Sequence, residues 1–344
     1  MNKNRMNEMV NSMKSFGKDK YWKEELLTEM FALQNEIVEL TFNEDHAATA
    51  DLKFWDVEKH LEQLNNDCGN VADEELKAFK EGSKNLCNLI KAEVSGNRGE
   101  AKAFRSLQYI RSKNVILKNV ELSDGERRTE LDAVVITPEG ITIVEVKNTA
   151  KNIFIDENGD YYRTGQYLRR DCNIAQKISL KEELLREALA GDGIQGVRIR
   201  SIVVFTNNRI EVQNKYAGIE TCFVSQLSHM IDGEKNETEM AVDEMERIEG
   251  AIRRAECPEA YPFEFDVAQF KMNFATLMIV LEEASARAEE AESEEREVIT
   301  KRKESTWTKV RHFITSRYVG YAGSAAAAAA ITLISTVAVS GIRK

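Results

Sequence analysis

Two runs of largely β-branched residues, Leu131–Thr137 and Ile141–Lys147, are separated only by Pro138-Glu139-Gly140. Three residues cannot carry a crossover, so strands joined this way must pair antiparallel. Side chains alternate along a strand. Ile141, Ile143, Glu145 and Lys147 therefore share one face, and Thr142, Val144 and Val146 the other. An otherwise apolar face ends in an acid and a base. On the partner strand Asp132 shares a face with Val134 and Ile136, and antiparallel pairing brings it beside Glu145 at the end far from the turn.

Two converging carboxylates repel unless a cation lies between them, and hard oxygen ligands suit Mg²⁺ or Mn²⁺. Lys147, one alternation beyond Glu145, is placed to orient an attacking water or to offset charge on a phosphate that the metal polarises. The chemistry implied is phosphodiester hydrolysis. Glu145 and Lys147 alone read more readily as an ordinary ion pair at an exposed sheet edge; Asp132, Glu100 and the order of the motifs given below reverse that reading. Glu100 lies on the stripe formed by Ala103, Phe104, Leu107 and Ile110 of a helix, and a carboxylate aimed at a core needs a metal or a basic partner.

Helical texture flanks this centre. Residues 1–93 read as a helical region, with Leu26, Leu27, Met30, Phe31, Leu33, Ile37 and Leu40 forming one apolar stripe. The texture changes at Ser95-Gly96-Asn97-Arg98-Gly99, and residues 94–232 read as an α/β domain. Residues 233–317 read as helical and acidic, and 318–342 as an Ala-rich apolar segment. The helical flanks are expected to pack or to form a homo-oligomer.

A net charge of −11 sits badly with a polyanionic partner until it is located. Residues 91–233 carry 21 of the 47 Lys and Arg and 20 of the 58 Asp and Glu, so the acidity belongs to the flanks. Within the near-neutral centre, Arg163, Arg169, Arg170 and Lys177 interleave with Tyr161, Tyr162 and Tyr167, a mixture that suits a phosphate backbone and its bases. A solvated hairpin and helix surface is the competing reading.

Gly99-Glu100, Thr129-Glu130-Leu131-Asp132, Gly140-Ile141, Glu145-Val146-Lys147-Asn148 and Asn173-Ile174-Ala175-Gln176 together resemble the nuclease-related domain, NERD, and its D…ExK pattern, in the same order. That resemblance implies a PD-(D/E)XK-like fold, a central mixed sheet flanked by helices. It implies a Mg²⁺-dependent (or Mn²⁺-dependent) nuclease acting on nucleic acid, with DNA the expected partner. It also implies that Asp132 and Glu145 bind the metal, that Lys147 is the catalytic lysine, and that Glu100 and Gln176 line the site from two helices, Glu100 as a candidate third metal ligand. The sequence departs from the family where Ile174 replaces the proline that often follows the asparagine. Defence against foreign DNA, or DNA processing, would fit. The alternatives are a non-catalytic nucleic-acid-binding or sensing module and a tail-anchored helical scaffold.

His46, His60, His229 and His312 are scattered, and the five cysteines form no CxxC pair, so zinc and a disulfide framework are not expected. The N-terminus has no apolar signal region, so no cleavable signal peptide is read and the domain is expected to stay in the cytoplasm. The 25 uncharged residues from Tyr318 to Ile342 exceed the roughly 20 needed to cross a bilayer, and basic residues are denser before them than after. They read as a single C-terminal helix tethering the chain to the inner membrane, with an Ala-rich oligomerising or buried helix as the alternative.

Overall fold

A computed structural model describes residues 3–42, 52–164, 169–233 and 239–318. In chain order the elements are α1 (Lys3–Ser12), β1 (Lys20–Tyr21), α2 (Lys23–Thr41), α3 (Phe54–Asp67), α4 (Asp73–Leu107), β2 (Val115–Ser123), β3 (Arg128–Thr137), β4 (Gly140–Lys147), β5 (Asn152–Ile155), β6 (Asp160–Thr164), β7 (Arg169–Asn173), α5 (Ile174–Gly191), β8 (Ile199–Phe205), β9 (Val212–Asn214), β10 (Glu220–Phe223), α6 (Leu227–Asp232), α7 (Val242–Ala255), β11 (Tyr261–Pro262) and α8 (Val267–Tyr318).

The hairpin anticipated from Pro138-Glu139-Gly140 forms, with Thr137 opposite Gly140 and Ala133 opposite Val144. Gly140 has φ +136°, and a Cβ there would lie 2.7 Å from the Arg198 carbonyl oxygen. Only glycine lets the turn close against β8. The hairpin is the middle of a five-stranded mixed sheet ordered β10-β8-β4-β3-β2, in which β10, β8 and β4 are parallel and β3 and β2 antiparallel.

The two faces of this sheet are covered by different helices. Val134, Ile136, Ile141 and Ile143 pack on Leu184, Leu185 and Leu189 of α5 and on Met245, Ile248 and Ile252 of α7. Ala133, Val135, Val144, Ile202 and Val204 pack on Ala103 and Leu107 of α4 and on Leu227 and Ile231 of α6. A second mixed sheet, β7-β6-β5-β9, packs Ile153, Ile155 and Tyr161 against Ile174 and Ile178 of α5 and Val203 and Phe205 of β8. The α/β expectation therefore holds as two mixed sheets flanked by helices.

Asp73–Leu107 is one helix of 35 residues, and the expected boundary between residues 93 and 94 falls inside it. Glycine disfavours a helix interior by roughly 1 kcal/mol, which is why Gly96 and Gly99 look like breakers. Packing wins at Gly99: a Cβ there would stand 2.7 Å from Cβ of Asn148, so the missing side chain is what lets α4 approach the end of β4. Asn148 then ties the two together, donating to the Ser95 carbonyl at 2.7 Å and accepting from Thr206 Oγ1 at 2.7 Å.

By contact the chain divides into two units, Asn11–Phe54 with Lys80–Lys271, and Met1–Val10 with Trp55–Phe79 and Met272–Lys344. The first holds both mixed sheets and the side chains of Asp132, Glu145, Lys147 and Lys181. Among its described residues the second is helical, with Leu61, Leu76, Phe79, Phe274 and Leu277 buried and the rings of Phe79 and Phe274 5.5 Å apart. Residues 286–309 of α8 are exposed all round and carry the i,i+4 pairs Glu292–Arg296 and Glu297–Lys301, as a solvated charged helix should. Among the described residues no helix is long and apolar enough to cross a membrane. The Ala-rich segment, from Val319 onward, lies outside them.

Candidate active site

The ladder between β3 and β4 stops at Ala133 and Val144, one step short of Asp132 and Glu145. There the Asp132 side chain replaces the backbone: its Oδ2 accepts the Val146 amide at 2.6 Å. On the other side of β3, Asn119 of β2 sits opposite Asp132 with φ +51°, between the register pairs Lys118/Ala133 and Val120/Leu131. The irregularity swaps faces. Leu131 and Val134, three residues apart, both pack on the α5 and α7 side.

Glu145 follows Ile141 and Ile143 towards α5, and the residue that meets it there is Lys181. Lys181 continues the helix stripe of Ile174, Ile178 and Leu185, so it is buried, its side chain only 8% exposed against 5% for Glu145. Its Nζ donates to Glu145 Oε2 and stands 3.7 Å from Asp132 Oδ1. Lys147 Nζ donates to the other oxygen of Glu145, Oε1, at 2.5 Å, and is 27% exposed. Two acids and two lysines thus interlock where the strands part.

Their environments separate the two carboxyls. Burial pushes Asp132 up and the Glu145 charge adds to it, against the pull of Lys181, the Val146 amide and Lys147; it reaches about 6. Burial pushes Glu145 up as well, but Lys147 and Lys181 outweigh it and hold that carboxyl at about 2. Burial works to lower the Lys147 ammonium, and Glu145 more than offsets it, raising it. Tyr161, on β6, is pushed by burial up to about 12 against the influence of Lys147, which puts a neutral phenol within the electrostatic reach of the lysine.

Glu100 meets a lysine of its own, Lys23, which also lies within electrostatic reach of Asp132. Its carboxylate lies 3.5 Å from Nζ of Lys23, which also pairs with Glu130 at 2.7 Å. Burial pushes the neighbouring Glu93 up, with Glu100 and Glu130 adding to it. The expected buried carboxylate thus has a basic partner from α2, and among the described residues no three His, Cys, Asp or Glu side chains converge as a metal cage. Gln176 caps nothing with its side chain. Its amide donates to Asn173 Oδ1 at 2.8 Å at the start of α5, and its exposed side chain lies five residues, about 140° of helix, from Lys181. The departure at Ile174 costs the helix nothing, because Asn173 serves as its N-cap.

The basic residues proposed for nucleic acid are largely spoken for. Arg163 pairs with Asp171, and Arg170 with Asp160 at 2.7 Å, so their charge is locally balanced. Arg169 is opposite Arg163 in the β6/β7 ladder, and Lys177 is exposed on α5. Tyr162 packs on Phe154, ring centroids 6.0 Å apart; Tyr167 lies outside the described residues.

Lys181 escaped the sequence reading because lysines usually mark the solvent face of a helix. The signal was present, since it stands three residues after Ile178 and four before Leu185.

A buried and a half-buried acid at the parting ends of two central strands, with a lysine two residues after the second acid, define an acid-and-lysine site on a mixed α/β sheet. Residues 95–206 match the family model described as NERD, the nuclease-related domain, so this third of the chain is nuclease-related. The match contains Glu100, Asp132, Glu145, Lys147, Gln176 and Lys181. Neither a curated protein nor a solved structure matches the chain.

Proposed function

We propose that the chain is a divalent-metal-dependent nuclease that hydrolyses phosphodiester bonds of DNA or RNA at Asp132, Glu145 and Lys147, on a sheet of the PD-(D/E)XK type. The observation that carries this reading is that Asp132 and Glu145 share a cation, the Lys181 ammonium, inside the segment that matches the nuclease-related domain. The donor set fits Mg²⁺ or Mn²⁺ held by two carboxylates, with water and substrate phosphate as the remaining ligands. Glu100 is a further candidate ligand, which would join the set by leaving Lys23. Bound there, the metal would polarise the phosphate and make water a better nucleophile.

The protein's own groups do the rest. The Val146 amide orients Asp132. Lys181 and Lys147 hold Glu145 ionised. Lys147, the more exposed of the two lysines, is placed to hold the attacking water or to offset charge on the scissile phosphate. The candidate backbone contacts are Arg163, Arg169, Arg170 and Lys177, of which Arg163 and Arg170 join only by leaving Asp171 and Asp160. Such a protein would suit defence against foreign DNA or DNA processing.

The test is the purified full-length protein on single- and double-stranded DNA and RNA with Mg²⁺ or Mn²⁺, with EDTA as control. Cleavage is expected, falling by about 10²-fold or more in Lys147→Ala and Asp132→Ala. Cleavage that survives equally in both variants refutes the assignment. Salt-dependent binding without cleavage under either metal would instead indicate a binding or sensing module.

A further inference from the structure

We propose that Lys181 is an internal counter-ion, an ammonium that occupies the cation position between Asp132 and Glu145 and yields it when a divalent cation binds. The inference rests on the metal reading above and adds to it a competitor built into the fold. Lys181 is the lysine whose ammonium meets both carboxylates, whereas the Lys147 ion pair is with Glu145 Oε1. The two sites on Glu145 are therefore different: Oε1 belongs to Lys147, and Oε2, together with Asp132 Oδ1, belongs to the cation position.

Charge favours exchange over coexistence. With both acids ionised, Asp132 and Glu145 are balanced by Lys147 and Lys181, and the group is neutral. A divalent cation entering the same space leaves it with two positive charges in excess, which repels the Lys181 ammonium and attracts a phosphodiester. A lysine's compact charge on a flexible four-carbon stem is suited to withdrawing without a change in the helix that carries it. The Asp132–Val146 hydrogen bond and the Lys147–Glu145 pair stay in place, so the ligands remain oriented. Nucleic acid is consequently attracted to the metal-loaded protein and not to the metal-free one, which orders the two binding steps.

The experiment is a Mn²⁺ titration of the full-length protein, with free Mn²⁺ read by electron paramagnetic resonance and without nucleic acid. Wild type, Lys181→Met and Asp132→Asn are compared. Lys181→Gln, which keeps a donor for Glu145 but no charge, stands in should the methionine variant lose its circular dichroism. Removal of the competitor is expected to tighten Mn²⁺ binding by about tenfold or more. The same variant should have a lower melting temperature without metal and a larger rise on adding Mn²⁺ than wild type. A purely structural lysine would lower the first without tightening binding. Unchanged or weaker binding in both Lys181 variants, with binding still abolished by Asp132→Asn, overturns the competitor and leaves the metal reading standing. No Mn²⁺ bound by wild type or by either Lys181 variant overturns both.

Discussion

Asp132 and Glu145 are one alternation step from being equivalent, yet their surroundings send them in opposite directions, and this has a consequence for stability against pH. The Asp132 carboxyl, at about 6 in the folded protein, lies above its unfolded value of roughly 4. As pH rises from 4 to 6 the unfolded chain loses this proton first, so folding is progressively penalised, and the penalty is complete above 6. Glu145, at about 2, does the reverse: its stabilisation is present above roughly pH 4.3 and is lost as pH falls towards 2. Asp132→Asn keeps an acceptor for the Val146 amide and removes the penalty. It should stabilise the metal-free protein at pH 7 by about 1–2 kcal/mol while leaving stability at pH 4 nearly unchanged. Denaturant unfolding in EDTA at pH 4, 5 and 7 reads this; parallel wild-type and variant curves across that range would contradict it. Both acids and Lys147 were legible in the sequence because strand alternation and a three-residue turn leave them nowhere else to go. Lys181 was not, because a buried lysine on an amphipathic stripe is recognised only once its carboxylate partners are known.

At the scale of elements, α4 decides how far sequence pattern can be trusted. Its Ser95-Gly96-Asn97-Arg98-Gly99 stretch has the composition of a linker, yet the helix continues through it because α4 must lie against the end of β4. Local propensity was outweighed by a tertiary contact invisible to it. The short strands β7 and β9 carry little signal of their own for a related reason: five and three residues long, they take their shape from pairing with β6 and β5 rather than from any alternation. The two glycines of α4 give opposite expectations. Gly96→Ala meets nothing within 4 Å and should stabilise by about 0.5–1 kcal/mol, the ordinary helix gain. Gly99→Ala gains the same propensity but drives a methyl into Asn148, whose side chain is fixed by Ser95 and Thr206, and should destabilise by about 1–3 kcal/mol net. Melting temperatures of the two single variants compare these signs directly. If both rise, α4 does not approach β4 closely.

The molecule as a whole is larger than its recognisable segment, and the structure says which additions the segment needs. Residues 95–206 end just beyond β8 and omit α7, yet Met245, Ile248 and Ile252 of α7 cover the sheet face on which Val134, Ile136, Ile141 and Ile143 lie. Burying each of three such side chains contributes about 1.5–3 kcal/mol, hence roughly 5–9 kcal/mol together. That is comparable with the whole stability of a domain, about 5–15 kcal/mol. The same cut removes Leu227 and Ile231 from the opposite face and Lys23 from Glu100 and Glu130. A fragment of residues 95–206 is therefore expected to keep helical far-UV dichroism but to lose near-UV dichroism and a cooperative thermal transition, because secondary structure survives where fixed packing does not. A fragment of residues 11–271, which retains α2, α6 and α7 along with both sheets, should unfold cooperatively. Cooperative unfolding of the shorter fragment near the full-length melting temperature would mean that α6 and α7 are accessory. Its absence, with cooperative unfolding of the longer fragment, would make the helices outside the nuclease-related segment part of the fold that holds Asp132, Glu145 and Lys181 together.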